Sequence, residues 1–389
     1  MSSKRKKPMK LEEEQAILTP LSGRLKMTRR RFNGYQKESH IRKPLSSFFV
    51  GLLPFFSLLL GSGLLANEDG PNWTKVDVGL TPVYPGLSGS SLNGFFGLIV
   101  SGTNLFAGWA SELITSADSG TSWKMTGQRT VDNVSERLQC RCLLASGPNL
   151  YAGTTGDGIW ISTDDGRNWS ELGPGLPLYS NINGLAMFGP NLFAAVYTLM
   201  SDEGFYILTN KSKRWRPITS GLSRKSRHRV EDMPSAVSAY SCFIGTPDGV
   251  YRSVSNGLAW TPVNAGLSTK ESRDVHALAV IGETLFAGTW GEGVFRSEDK
   301  GLSWTAVNSG LTDRHVKSFA VSVSNLFAGT EQGGVFLSQD HGATWSALGL
   351  RGQVIDTLVA SGPYLLASVD PWNGGGLWRA TLSDLNLKK

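Results

Sequence analysis

One eight-residue phrase, Ser-x-Asp-x-Gly-x-x-Trp, is written four times in this chain, at Ser116–Trp123, Ser162–Trp169, Ser297–Trp304 and Ser338–Trp345. Three weaker copies keep its tryptophan: around Trp73, at Leu208–Trp215 and at Ser253–Trp260. The seven tryptophans 73, 123, 169, 215, 260, 304 and 345 are separated by 50, 46, 46, 45, 44 and 41 residues. A period of that length predicts a series of like supersecondary units that bury their apolar faces against one another. Most residues then serve the scaffold, and function has to be sought in what differs between copies.

Each unit can be read in full. One copy runs Val316–Val321, Asn325-Leu-Phe-Ala-Gly-Thr330, Gly334-Val-Phe-Leu-Ser338 and, after the Asp phrase, Trp345-Ser-Ala-Leu. The preceding copy repeats this as Val275–Val280, Thr284–Thr289, Gly293–Ser297 and Trp304-Thr-Ala-Val. These are short runs rich in β-branched and aromatic residues, separated by Gly, Asn, Ser and Asp. None carries the 3.6-residue apolar spacing of a helix. Four strands per unit, repeated at this period, predict an all-β fold: a seven-bladed β-propeller of four-stranded blades. The Asp phrase fits the turn between third and fourth strands, where Gly takes a left-handed conformation and the Asp carboxylate accepts backbone N–H groups. The Trp opens the fourth strand and offers a large apolar face to a neighbouring blade.

The phrase resembles the Asp-box, or BNR, repeat of sialidase-type propellers and of exported bacterial propellers, over about 320 of the 389 residues. The weaker copies depart from it: Leu208, Asn210 and Ser212 replace Ser, Asp and Gly in one, and Ser255 replaces Asp in another. Sialidase chemistry is what the resemblance would imply, and the sequence lacks its parts. That family carries an Arg-Ile-Pro motif before the first Asp box, and this chain has none. The corresponding run, Phe95–Val100, holds no arginine. Sialidases use six blades, against seven here. Asp-box hydrolases of the xyloglucan-cleaving kind place paired carboxylates between two propellers, and one propeller is present. A second resemblance, in blade number, Trp-ended repeats and export, is to the photosystem II assembly factor family, which binds protein through arginines on one face. Arg224, Arg227, His228 and Arg229 form the basic cluster that such a role would use.

After Trp345 the sequence supplies three strands, Ile355–Ala360, Tyr364–Val369 and Gly376–Thr381, with no further Asp phrase. Trp73-Thr-Lys-Val-Asp-Val supplies a fourth strand without the first three. The two parts are expected to form one blade, which closes the ring and leaves no open sheet edge.

The net charge of +6 needs to be localised. Residues 1–44 hold 13 Lys/Arg and 4 Glu; the remainder holds 25 basic and 28 acidic residues. The basic character belongs to the tail, the propeller is mildly acidic, and nucleic-acid binding by the folded domain is disfavoured. Pro44–Asn67 contains no charge and Phe48–Leu60 is almost wholly apolar. With basic residues before it and Glu68 and Asp69 after it, this is the pattern of a secretory signal or a signal anchor. The expected organisation is a basic cytoplasmic tail over 1–44, a signal peptide or anchor helix over 45–66 and a propeller over 67–389 outside the cytoplasm. Cleavage after Gly63 or Ala66, a start at Met27, and a twin-arginine reading of Thr28–Phe32 all stay open. Cys140 and Cys142 align with Val275 and Ala277, and the expectation is that they share one face of an inner strand as small core residues. No disulfide is expected for them or for Cys242.

Propeller topology puts the Asp phrases on one face and the turns between second and third strands, with the links between blades, on the other. The second face surrounds the channel mouth. Asp118, Asp164, Asp299 and Asp340, with Trp123, Trp169, Trp304 and Trp345, are therefore structural. The channel-side turns carry Trp109, Glu112, Asp157, Tyr197, Asp202, Glu203, Asp248, Trp290, Glu292, Glu331, Gln332, Asp370 and Trp372. The links add Arg137, Arg227, His228, Arg273, Asp274, Asp313, Arg314, His315 and Arg351. Aromatic rings beside carboxylates and guanidiniums suit stacking on, and hydrogen bonding to, a sugar or a peptide. The ligand-binding candidates are Trp109, Glu112, Asp157, Tyr197, Trp290, Glu292, Glu331, Arg314 and Trp372. There is no phosphate loop, no Gly-x-Ser-x-Gly elbow and no His/Cys cluster, so no cofactor, metal or catalytic residue is assigned. The reading is a propeller that binds a protein or glycan through its channel face without catalysis, for which a monomer suffices. The alternatives are a glycoside hydrolase using channel-side carboxylates and an assembly factor for a membrane complex.

Overall fold

The computed structural model describes residues 71–76, 95–109, 112–131, 134–198, 203–223, 225–226, 233–238, 241–370 and 375–385. The chain divides into two units, Met1–Leu59 and Leu60–Lys389, and every described residue belongs to the second. The tail 1–44 and the apolar segment 45–66 lie outside the described residues. No helix among the described residues is long and apolar enough to cross a membrane.

Seven four-stranded antiparallel sheets follow one another along the chain, as the repeat predicts. The first comprises Phe95–Ser101, Asn104–Trp109, Glu112–Ser116 and Lys124–Thr126. The fifth comprises Val275–Ile281, Thr284–Thr289, Gly293–Ser297 and Thr305–Ala306, and the sixth Val316–Ser322, Asn325–Thr330, Val335–Ser338 and Ser346–Gly349. In the seventh, Ile355–Ser361, Tyr364–Val369 and Gly376–Thr381 are completed by Thr74–Lys75, which pairs with Arg379 and Trp378. The borrowed strand is held further by the Val76 N–H donating to Leu377 O at 2.8 Å. Trp73, 3% exposed, donates its indole N–H to Leu348 O in the sixth blade.

The second strands show why these runs read as unbroken apolar stretches. Side chains alternate across a strand, and both sheet faces meet another blade. Leu326 and Ala328 pack with Phe286 of the fifth blade, whereas Phe327 between them packs with Leu365 of the seventh. Seven such clusters occur among the described residues, one at each blade boundary. The cluster joining Leu105, Ala107 and Ile114 to Val76, Leu366 and Leu377 closes the ring.

Every complete Asp phrase makes the same turn. In the second blade Ser162 donates to Asp164 Oδ1 at 2.8 Å and accepts from Gly166 N–H at 2.9 Å. Asp164 Oδ1 accepts the Asn168 backbone N–H, and Oδ2 accepts the Asn168 side chain. Asp118, Asp299 and Asp340 repeat this with Ser122, Ser303 and Thr344. Gly166 sits at φ +77°, and Asp165 before it at +59°, so two consecutive residues are left-handed. In the fourth blade Ser255 takes over for the aspartate, its hydroxyl accepting the Ala259 N–H.

The tryptophans do more than pack. Trp304 donates its indole N–H to Val263 O at 2.8 Å, and Val263 belongs to the preceding blade. Trp123 does so to Val76, Trp215 to Leu172 and Trp345 to Val307. In each case the acceptor lies three residues after the preceding tryptophan. Trp169 turns to Gly166 O in its own turn, and Trp260 finds no acceptor among the described residues.

Two features differ from the sequence expectation. A hairpin, Gln128–Val131 with Val134–Arg137, is inserted between the first and second blades. Its alternating Gln-Arg-Thr-Val pattern has no counterpart in the other units, so the repeat could not signal it. The second concerns Cys140 and Cys142, which do not share a face. A β-bulge falls between them: Cys140 pairs with Thr154 and Cys142 with Gly153, leaving Arg141 extra. An extra residue shifts the alternation by one. Cys140 therefore packs toward the first blade and Cys142 toward the third. Both thiols are buried and free, as is Cys242, and burial pushes the Cys140 thiol well above its ordinary range. The bulge recurs at Phe96/Leu98, Ile182/Gly184, Val275/Ala277, Val316/Ser318 and Ile355/Thr357.

Candidate functional site

The bulges set the inner wall of the channel. In a radial blade the first strand has no inner neighbour, so its extra residue leaves the sheet toward the axis. That residue is Gly97, Arg141, Asn183, His276, Lys317 or Asp356 in the inner strands of blades one to three and five to seven. In charge and size this position differs more from blade to blade than any generic core position would. Lys317 and Asp356 meet in an ion pair of 2.5 Å across two blades. His276 Nε2 lies 3.3 Å from Asp274 Oδ1. The sequence reading missed these positions because a bulge leaves no mark in an apolar alternation.

Above this wall, blades five to seven enclose a cleft of about 1140 Å³ lined by Trp290, Thr312–His315, Glu331–Gly333, Arg351, Gly352 and Val354. Three of the nine ligand candidates, Trp290, Arg314 and Glu331, come together here. They arrive from three elements: the turn between the second and third strands of blade five, the link to blade six, and the matching turn of blade six.

Backbone bonds fix that arrangement. The Trp290 N–H donates to Asp274 O at 2.8 Å, and Glu331 N–H to His315 O at 3.1 Å. Arg314 O accepts two donors, Gly291 N–H and Gly293 N–H, at 3.1 and 2.9 Å. The main chain of Arg314 is thus held while its side chain stays exposed. The Trp290 ring stands between two imidazoles, with centroids 5.0 Å from His276 and 5.1 Å from His315. This orients the indole without covering it.

Asp313 is the cornerstone of the link. Its Oδ1 accepts the His315 N–H at 3.0 Å, with the imidazole Nδ1 at 3.3 Å, and its Oδ2 accepts Gln332 N–H and Gly333 N–H at 2.7 and 2.9 Å. Burial opposes ionisation of this carboxyl, but the backbone donors of His315, Gln332 and Gly333 outweigh it and hold its pKa below the ordinary carboxylate value. Residue 333 has to be glycine, since a Cβ there would stand 2.7 Å from Asp313 Cβ. The side chains of Arg314, Arg351 and Glu331 make no hydrogen bond or ion pair among the described residues. The cleft therefore offers one oriented indole, two guanidiniums and one carboxylate to an incoming group, while its second carboxylate is already engaged.

The other candidates fall elsewhere. Glu112 is 8% exposed and forms an ion pair with Arg137, so two residues read separately from the sequence neutralise each other. Glu292 accepts the Thr269 hydroxyl at 2.8 Å, beside the cap of the short helix Lys270–Arg273. Arg273 donates to Leu267 O. Asp248 accepts the Ser223 hydroxyl and lies 3.6 Å from Lys225 Nζ. Asp157 is exposed in a turn of the second blade and Tyr197 at the end of the second strand of the third, and Trp109 closes the second strand of the first, paired with Glu112. Trp372, Asp202, Arg224, Arg227, His228 and Arg229 lie outside the described residues. Among the described residues no group of three or more His, Cys, Asp and Glu side chains is placed to hold a metal ion.

No protein-family model and no curated protein matches the sequence. Solved structures do match the fold. YCF48 from Cyanidioschyzon merolae superposes with a TM-score of 0.55 at 15% identity, covering 80% of this chain and 99% of that one. A structure of YCF48 bound to D1 peptide gives 0.56 at 16% identity, covering 82% and 99%. The extracellular domain of the putative one component system BT4673 from B. thetaiotaomicron gives 0.56 at 15% identity and covers 77% of this chain, which spans only 39% of that one. At such identities these similarities define the class, a seven-bladed β-propeller, and nothing finer.

Proposed function

We propose that this chain is an Asp-box propeller, residues 67–389, exported behind or anchored by the apolar segment 45–66, that binds a protein or glycan through its channel face and performs no catalysis. The observation that carries the proposal is the cleft between blades five and seven, with Trp290 held between two imidazoles and Arg314 and Arg351 making no ion pair among the described residues. An indole held in this way loses little freedom on binding. The extracellular domain and the peptide complex among the fold neighbours support an extracytoplasmic, ligand-binding reading. The glycosidase alternative loses ground, because a hydrolase needs a protonated carboxylic acid beside a second carboxylate. Of the cleft's two carboxylates, Asp313 could serve as the second, but both its oxygens are already engaged by the N–H groups of His315, Gln332 and Gly333.

A glycan array and a peptide library offered to the full chain test this reading. Ligands recovered from either should bind Trp290→Ala and Arg314→Ala at least tenfold more weakly, with thermal unfolding unchanged. Ligands indifferent to both substitutions would place binding elsewhere. Turnover of chromogenic glycosides that is lost in Glu331→Gln would restore the hydrolase reading.

A further inference from the structure

The channel face has two unlike sides, and they differ at matching links. The link from blade five to blade six reads Gly310-Leu-Thr-Asp-Arg-His315, and the link from blade two to blade three reads Gly175-Leu-Pro-Leu-Tyr-Ser-Asn181. The two glycines correspond: a Cβ on Gly310 would strike Trp345 O, and one on Gly175 would strike Trp215 O, each the tryptophan of the following blade. The far ends correspond as well. Trp290 bridges to His315 as Thr155 bridges to Asn181, and Gly291 N–H donates to Arg314 O as Gly156 N–H donates to Ser180 O. Between these fixed ends the second link is one residue longer. Where the first carries Thr-Asp-Arg, it carries Pro177-Leu178-Tyr179-Ser180.

The extra residue pushes a tip into solvent. Leu178 is 83% exposed and Tyr179 78%. Tyr179 also adopts φ +57°, a left-handed conformation that a bulky side chain resists. Ser180 beneath the tip is buried and donates its hydroxyl to Pro177 O at 2.6 Å, which braces the loop in that shape. Tyr197, 39% exposed, pairs with Asn181 at the top of the third blade and so flanks the tip. Two large apolar groups are thus held in water by a strained backbone, three blades round the ring from the arginine cleft.

We propose that the partner is a polypeptide that lies across the channel mouth, packing an apolar side chain on the Leu178–Tyr179 lip and presenting an acidic group to Arg314 and Arg351. The proposal rests on the cleft reading above and adds the lip and the partner's class. Two guanidiniums that make no ion pair within the cleft offer an acidic group its partners, and an exposed Leu–Tyr tip offers an apolar group a surface. An extended 20-residue peptide reaches about 65 Å.

The test uses a randomised 20-residue peptide display library panned on the full chain. Enriched peptides should combine an aliphatic or aromatic residue with Asp or Glu. Their affinity should fall at least tenfold both in Leu178→Ser/Tyr179→Asn and in Arg314→Ala/Arg351→Ala. Asparagine tolerates the left-handed region, so the lip variant should unfold at the same temperature as the parent or higher, which separates lost contact from lost fold. Affinity lost only in the arginine variant overturns the lip and leaves the cleft reading intact. Affinity lost only in the lip variant overturns the cleft reading and with it the two-point contact, and affinity lost in neither overturns cleft and lip alike. Failure to enrich any peptide, with cleft-dependent binding on a glycan array, overturns the partner class alone.

Discussion

The indole staples allow a comparison in which the protein is its own control. Trp304 and Trp260 open the fourth strands of adjacent blades, and each is 4% exposed. Trp304 donates to Val263 O at 2.8 Å. Trp260 packs edge-on to Phe188 and Phe193, with centroids at 5.6 and 6.1 Å, and its N–H is buried without an acceptor among the described residues. Replacing either by Phe removes the same atoms from a closely packed boundary, so the packing losses are comparable. The polar terms have opposite sign. Trp304→Phe gives up a hydrogen bond worth about 1 kcal/mol net and strands the Val263 carbonyl, whereas Trp260→Phe removes an unpaired donor whose burial costs about 1–3 kcal/mol. Trp304→Phe should therefore be the more destabilising by about 2 kcal/mol. Urea titrations of the two variants, compared at equal m-value, read this as a difference in midpoint. Equal midpoints, or a lower one for Trp260→Phe, would refute the view that these tryptophans act as directional staples as well as apolar wedges.

Three further outcomes are expected. Val323 stands at φ +57° and 86% exposed where the corresponding turns have Gly102, Gly147, Gly189, Gly282 and Gly362 at +54° to +60°. Val323→Gly should stabilise by about 0.5–1 kcal/mol in thermal unfolding, as relief of about 1–2 kcal/mol of left-handed strain exceeds the added freedom of the unfolded chain. Trp73→Ala should cost about 3–5 kcal/mol, lowering the unfolding midpoint of the whole propeller, because Trp73 seals the blade built from both ends of the domain. Asp118 and Asp164 titrate at about 2 in the folded chain, against 3.8 as the ordinary value. For Asp118 the largest cause is the Ser122 hydroxyl, and for Asp164 the Asn168 backbone N–H. A depressed carboxyl stabilises the fold above its unfolded pKa and loses that contribution as pH falls through the folded one. Stability should therefore decline between about pH 4 and pH 2, and Asp164→Asn should flatten part of that decline. An unchanged profile would mean that the Asp turns carry no linked protons.

How much of this was legible before any coordinates follows from what repeats and what does not. The seven tryptophans fixed the blade count, and the unpaired strand at Trp73 announced the closure, because both depend on a pattern that the chain states many times over. The Cys140–Cys142 misassignment shows the limit. Counting in twos along a strand assumes unbroken pairing, and the sequence carries no mark of the bulge that breaks it. The site shows another limit. Trp290, Arg314 and Glu331 were each visible as departures from the repeat, but so were Glu112 and Glu292, which the fold consumes in contacts with Arg137 and Thr269. What separates the two sets is how the backbone is employed. Arg314 has its carbonyl committed to two donors, and its guanidinium has no partner. In a propeller the link geometry is imposed by the blades on either side, so a side chain there carries little of the folding burden. The Asp-Arg of one link and the Leu-Tyr of another are therefore free to differ without cost to the fold, which is why a pattern built on the repeat could not rank them.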